Sequence, residues 1–148
     1  MKVEIVDTTI SHVDDIINIE NLSFKIPWTR NAFLQELGNR SFTIYLSAKA
    51  GDRVVGYAGM WKIVDEGHIT NIAVHPEFRG IGIGSMLLEA LKKRAKKEGI
   101  VKMTLEVKKS NEAALKLYTK HGFIPAGIRK GYYAEDGEDA IIMWNEHL

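Results

Sequence analysis

A chain of 148 residues, 45% of them hydrophobic, with a formal charge of +1, suits one globular domain over 1–148 and carries no net charge to attract nucleic acid. The absence of cysteine excludes disulfides, thiolate metal sites and an acyl-cysteine intermediate. No apolar run reaches about 18 residues and no charged-then-apolar leader opens the sequence, so a cytoplasmic protein without a membrane partner is expected; nothing in the sequence sets an oligomeric state.

Val3 to Val6 reads as a short first strand. Ser11 with Asp14 resembles a capping box, and Val13, Ile16, Ile17, Glu20 and Phe24 follow at helical spacing, which predicts a first helix of about three turns. Pro27 interrupts it, and Thr29 is placed to cap a second short helix through Ala32, Phe33 and Leu37. Phe42 to Lys49 and Arg53 to Ile63 predict a hairpin turning at Ala50-Gly51-Asp52. Gly56 and Gly59 inside its second strand predict a twist or bulge. Asp65-Glu66-Gly67 turns the chain into Ile69 to Val74, a β-branched-rich strand stopped by His75-Pro76.

The period then changes. Ile83, Leu87, Ala90, Leu91 and Ala95 recur at helical spacing, and the run from Lys92 to Lys97 reads as a solvated, dipole-complementing end. Between strand and helix lies Arg79-Gly80-Ile81-Gly82-Ile83-Gly84-Ser85. Glycines there permit positive φ and close approach, and a helix start offers free N–H groups, so the loop predicts an anion site for phosphate. It is not a Walker loop, because Ser85-Met86 stands where Lys-Ser/Thr is needed. It is not a dinucleotide fingerprint either, because Ser85 stands in place of the third glycine.

Ile100 to Val107 alternates Val101, Met103, Leu105 and Val107 against Lys102, Thr104 and Glu106, predicting a strand parallel to the one ending at Val74. Ser110-Asn111 begins a last helix that ends at His121-Gly122. Phe123 to Ile128 and Asp139 to Trp144 complete the chain as two strands around Asp136-Gly137. The predicted class is α/β: a mixed sheet of about seven strands with four helices, in the order strand, two helices, three strands, helix, strand, helix, two strands.

Arg79-x-x-Gly82-x-Gly84 directly after a strand resembles the acetyl-CoA loop of the GNAT acetyltransferases, and the element order is similar to the GNAT fold over essentially the whole chain. Thr104-Leu105-Glu106-Val107, Ser110 to Ala114, Leu117-Tyr118, Gly122-Phe123, Tyr132-Tyr133 and Glu138-Asp139-Ala140 with Met143 resemble the RimI family of protein N-terminal acetyltransferases. Tyr132-Tyr133-Ala134 and Gly137-Glu138-Asp139-Ala140 also resemble the tail of NatA-type catalytic subunits, with Glu135 as one added residue in that tail.

The resemblance implies acetyl-CoA as co-substrate, held by Ile72, Ala73, Val74, the loop Arg79, Gly80, Ile81, Gly82, Ile83, Gly84 and Ser85, and Asn111. It implies Glu106 as base and Tyr118 as acid and cofactor contact, with Phe24, Pro27, Trp28, Tyr132 and Tyr133 at the peptide entrance. Read without it, Glu106 is a surface residue, Tyr118 a core aromatic and Asn111 a helix cap. The implied partner is a protein N-terminus, that of a ribosomal protein. A broader NatA-like enzyme, a small-amine acetyltransferase and a non-catalytic acyl-CoA-binding regulator remain as alternatives. His12, His68, His75, His121 and His147 show no ligand spacing, so no metal is expected. Ser85 lacks the Gly-x-Ser-x-Gly setting of a nucleophile, leaving a capping or phosphate contact.

Overall fold

The computed structural model describes residues 2–148. Its strands are β1 (Val3–Asp7), β2 (Thr43–Ala50), β3 (Arg53–Ile63), β4 (Glu66–Val74), β5 (Lys102–Lys108), β6 (Ile124–Tyr133) and β7 (Glu138–Asn145). Its α-helices are α1 (Val13–Ser23), α2 (Arg30–Gly38), α3 (Ile83–Lys97) and α4 (Glu112–Lys120). The strands form one sheet in the order β1-β2-β3-β4-β5-β7-β6, antiparallel except for β4 beside β5. This is the predicted mixed sheet in the predicted element order.

Alternation along the strands divides the core in two. Ile44, Leu46 and Ala48 of β2 join Leu87, Leu88 and Leu91 of α3, with Tyr118 of α4 and Phe123, in the larger apolar cluster. Tyr45, between them in sequence, joins Val13, Ile16 and Ile19 of α1 and Phe33 of α2 in the smaller one. Helices therefore cover both faces, as a sheet containing a parallel pair requires.

Several local expectations shift. The start of α1 is not a Ser11–Asp14 box: Ser11 Oγ lies 2.7 Å from Thr9 Oγ1, and Thr9 N–H donates to His12 Nδ1 at 3.1 Å over a single 3-10 turn. Phe24 leaves the helix with extended backbone (φ −130°, ψ 145°), since the elbow towards Pro27 begins there. Thr29 does cap α2, accepting from Ala32 N–H at 3.1 Å. The penultimate strand runs on to Tyr133 instead of stopping at Ile128. Register shifts at Pro125/Gly127 and Arg129/Tyr133 let it keep pairing with β7. β5 starts at Lys102, two residues later than the alternation suggests.

The register breaks beside both glycines: next to Gly56 the extra residue is Val55 of β3, and opposite Gly59 it is on β4. Gly59 faces Asn71 while Met60 faces Ile69, so Thr70 has no register partner. A Cβ on Gly59 would lie 2.1 Å from the Tyr45 ring, which explains a glycine inside this strand. At the β3–β4 turn Val64 is 97% exposed and left-handed (φ 57°), a costly conformation for a β-branched residue.

Candidate active site

The parallel pair β4/β5 is in register for three rungs, Glu66↔Lys102, Gly67↔Met103 and His68↔Thr104. Beyond them the strands part, although β4 still pairs with β3 as far as Val74 and β5 with β7 as far as Lys108. The unpaired edges of Ile69 to Val74 and Leu105 to Lys108 thus line a slot in the middle of the sheet. Backbone N–H and C=O groups that would close a ladder are left there for a ligand.

At the C-terminal end of β4 the chain passes through a 3-10 turn (Pro76–Phe78) into the glycine loop. Gly80 and Gly82 adopt φ of 80° and 90°, with nothing within 4 Å of the space a Cβ would fill. Both are needed for conformation and leave the backbone open to approach. Gly84 is different: it is helical, and a Cβ there would reach Leu117 Cδ2 at 3.4 Å, so it serves the packing of α3 on α4. The intrahelical bonds of α3 begin with Met86 N–H to Gly82 C=O, at 3.0 Å. The N–H groups before it face the loop with the positive end of the helix dipole, an arrangement fit for a diphosphate. Arg79 folds back: its Nε donates to Val74 C=O (2.9 Å) and its guanidinium reaches Ser23 Oγ (3.2 Å), bracing the loop against β4 and α1. Ile81 is exposed at the tip.

Where the strands part, Glu106 Oε2 lies 2.8 Å from His68 Nε2, and Glu106 Oε1 lies 3.6 Å from Arg129 Nε. The carboxylate is nearly enclosed, with 12% of its side chain accessible. It is not the solvated surface residue that its strand position alone would suggest. Tyr118 is buried, edge-on to Phe123 with ring centroids 5.8 Å apart. Burial, with the neighbouring Tyr133 second, raises its phenol well above the usual tyrosine value, so it stays protonated. Tyr133 stands edge-on to Tyr132 at 5.1 Å. Burial first, then Tyr132 and the Glu106 charge, push its pKa up to about 12.

The added Glu135 shares Lys108 with Asp136, at 3.0 and 2.8 Å, and Lys108 Nζ lies 5.1 Å from the Tyr133 ring centroid. The last hairpin is thereby pinned to β5. At the elbow between α1 and α2, Phe24 is exposed, Pro27 half-buried, and Trp28 edge-on to Phe33 at 6.5 Å. Asn111 caps α4 by accepting from Ala114 N–H at 3.1 Å.

Three pairings went unnoticed in the sequence. His68 is the partner of Glu106, and its only signal was a polar position in a strand. Glu20 is fully buried, accepting from Trp28 N–H at 3.3 Å and facing Asn71 Nδ2 at 3.5 Å. Burial raises its pKa, and its Oε2 lacks a partner, as do Tyr57 OH, Thr70 Oγ1 and Asn71 Oδ1. The signal was a carboxylate on the apolar stripe with Val13 and Ile16. Ser85, expected to cap α3 or contact phosphate, lies 2.6 Å from His121 Nε2.

Among the described residues no group of three His, Cys, Asp or Glu is placed to hold a metal. Nor is any helix there long and apolar enough to cross a membrane. Two surface hollows, between β1 and α3 and beside Gly99 to Val101, lie away from the slot.

A parted parallel pair, a glycine loop opening a helix at its end, and a carboxylate and a phenol at its margin define an acetyl-CoA-dependent N-acetyltransferase. The chain belongs to the acetyltransferase (GNAT) family, whose model matches residues 13–123, and within it to the RimI group. A ribosomal protein bS18-alanine N-acetyltransferase of Salmonella typhimurium is 41% identical over 127 residues, 84% of each chain. The crystal structure of the ribosomal-protein-S18-alanine N-acetyltransferase from Escherichia coli superposes with a TM-score of 0.89 at 31% identity, covering 99% of this chain and 96% of that one. The PaiA N-acetyltransferase from Thermoplasma acidophilum, in complex with coenzyme A, shares the fold at 21% identity and a TM-score of 0.86, over 99% of this chain and 100% of that one. Acetyl-CoA is the acetyl donor.

Proposed function

We propose that this enzyme acetylates the α-amino group of a protein N-terminus, that of ribosomal protein bS18, the substrate for which the Salmonella and E. coli relatives are named. The observation that carries the chemistry is the enclosed Glu106 at the parting strands, tied to His68 at 2.8 Å. Acetyl-CoA supplies the activated acetyl group. Glu106 accepts the amine proton as the C–N bond forms, and His68 fixes the carboxylate's orientation. Tyr118 gives its proton to the sulfur as the C–S bond breaks. The parted edge of Ile72 to Val74 and the loop from Arg79 to Ser85 hold the donor. Asn111 caps the helix that carries Tyr118.

Phe24, Pro27 and Trp28 on one lip and Tyr132 and Tyr133 on the other form the peptide entrance. An α-amine with a pKa of about 7.7–8.0 is roughly a tenth or more neutral at pH 7, whereas a lysine near 10.4 is well under about 1% neutral. The protonation states of the two amines therefore favour the N-terminus over lysine. The deciding assay compares a peptide with a free N-terminus and an internal lysine against its N-terminally blocked copy. Acetylation confined to the free N-terminus is expected; comparable acetylation of lysine in the blocked copy refutes the assignment.

A further inference from the structure

A hydrogen-bonded relay that the transfer chemistry does not use runs from the glycine loop to the end of α4. Ser85 Oγ lies 2.6 Å from His121 Nε2, and His121 Nδ1 lies 3.2 Å from Glu89 Oε2. A carboxylate only accepts, so Nδ1 carries the proton facing Glu89, and Nε2 of the neutral ring accepts from the Ser85 hydroxyl. Glu89 and Lys92 of α3 and Lys120 of α4 are the charged groups around the ring. From β7, the neutral Asn145 amide donates to the His121 carbonyl at 2.9 Å, and Lys92 Nζ approaches the same carbonyl at 3.3 Å. Burial, with Lys92 second, holds the imidazole below its ordinary value of 6.5, so the ring is neutral at pH 7.

This tautomer is the wrong one for an anion. With its proton committed to Nε2, the Ser85 hydroxyl offers only lone pairs to a phosphate oxygen arriving at the start of α3. Turning the hydroxyl away would strand an acceptor nitrogen on a side chain only 8% exposed. A proton on Nε2 removes the conflict. Nε2–H then donates to Ser85 Oγ, the hydroxyl proton turns to the phosphate, and imidazolium stands between Glu89 and the anion.

We propose that His121 is a positioning residue for the acetyl-CoA diphosphate, and that cofactor binding takes up a proton at His121 Nε2 which Ser85 converts into a hydrogen bond to phosphate. The inference rests on the reading that the loop from Arg79 to Ser85 holds the diphosphate. Its sign is fixed: the bound-state pKa lies above the free-state pKa. Affinity therefore rises as pH falls through the interval between them, by up to about tenfold per pH unit.

Titration calorimetry of coenzyme A into the full chain, in phosphate and in Tris at the same pH, reads proton uptake from the difference in buffer ionisation heat. The ligand's own phosphate monoester contributes equally to all proteins, so the readout is the difference between them. Wild type is expected to take up as much as one proton more than Ser85→Ala. His121→Gln, which retains an N–H donor towards Ser85 but does not titrate, should bind without that extra proton. In nitrogen-15 imidazole spectra, Nε2 of His121 should move from acceptor to protonated on saturation with coenzyme A. Equal uptake in all three proteins, with Nε2 unprotonated in the complex, overturns the proposal. Unchanged coenzyme A affinity in Gly82→Asp would instead overturn the loop reading, and the relay's role with it.

Discussion

On the α3–α4 side of the sheet, Leu87, Leu88 and Leu91 meet Ile44, Leu46, Met60 and Met103, apolar against apolar. On the α1–α2 side, Ile16 and Ile19 meet Tyr45 and Tyr57. Within reach of that layer lie Glu20 and Asn71, whose side chains face each other at 3.5 Å. An acyltransferase needs one layer that holds the helix presenting the donor loop, and dispersion and area burial provide it. The other layer lies on the face of the sheet that carries Thr104 and Glu106, where the proposed amine chemistry takes place.

The contrast can be broken at four points. The largest effect is expected from Glu106→Gln, which removes the proposed base but keeps the side chain's size. The chemical step should fall about 10²–10⁴-fold with coenzyme A affinity nearly unchanged. Turnover equal to wild type across pH, by a stopped assay of coenzyme A release, would remove Glu106 from the mechanism. Leu91→Ala, at a fully buried site in the apolar layer, should cost about 2–5 kcal/mol in urea unfolding while leaving the rate of folded enzyme within a few-fold of wild type. A selective loss of rate would show that this layer does more than support.

Glu20→Gln should act in the opposite direction on stability. An amide nitrogen there can donate towards Asn71 Oδ1, and a gain on the order of 1–3 kcal/mol is expected at neutral pH. Because the folded-state pKa of Glu20 is raised, the folded chain binds more protons between its ordinary and raised values. Wild-type stability therefore falls as pH rises through that window, and the advantage of Gln should shrink below it. A pH-independent difference in melting temperature would contradict this. The smallest effect belongs to Val64→Asn, which relieves the left-handed turn residue and should gain at most about 1 kcal/mol by denaturant melts, with no effect on rate.

The sequence disclosed what depends on neighbours in the chain. The glycine loop, the Thr29 and Asn111 caps and the alternation that puts Glu106 on the polar side of β5 are local patterns with local causes. What it concealed depends on pairing at a distance. His68 meets Glu106 across 38 residues, Asn71 meets Glu20 across 51, and Ser85 meets His121 across 36. A lone histidine or a glutamate on an apolar stripe has no periodicity from which a partner can be read. The local errors have a similar origin. Ser11 looked like a cap because a capping box is a spacing, whereas the Thr9 hydroxyl and the His12 ring reached those groups first. The penultimate strand outran its expected end because bulges opposite β7 absorbed a break in alternation that reads as a stop.

The three-rung junction between β4 and β5 has a mechanical meaning as well. The sheet is two leaves, β1 to β4 and β5 to β7, stitched at one end of their shared border and bridged elsewhere by packing on α3 and α4. A border open along most of its length could widen or narrow with little loss of backbone bonding, since only three rungs tie the two leaves. A ligand lying along the open border would supply hydrogen bonds where the missing rungs would have been. Stiffness would then belong to the loaded molecule more than to the bare chain, and release of a spent cofactor would amount to unlatching the two leaves.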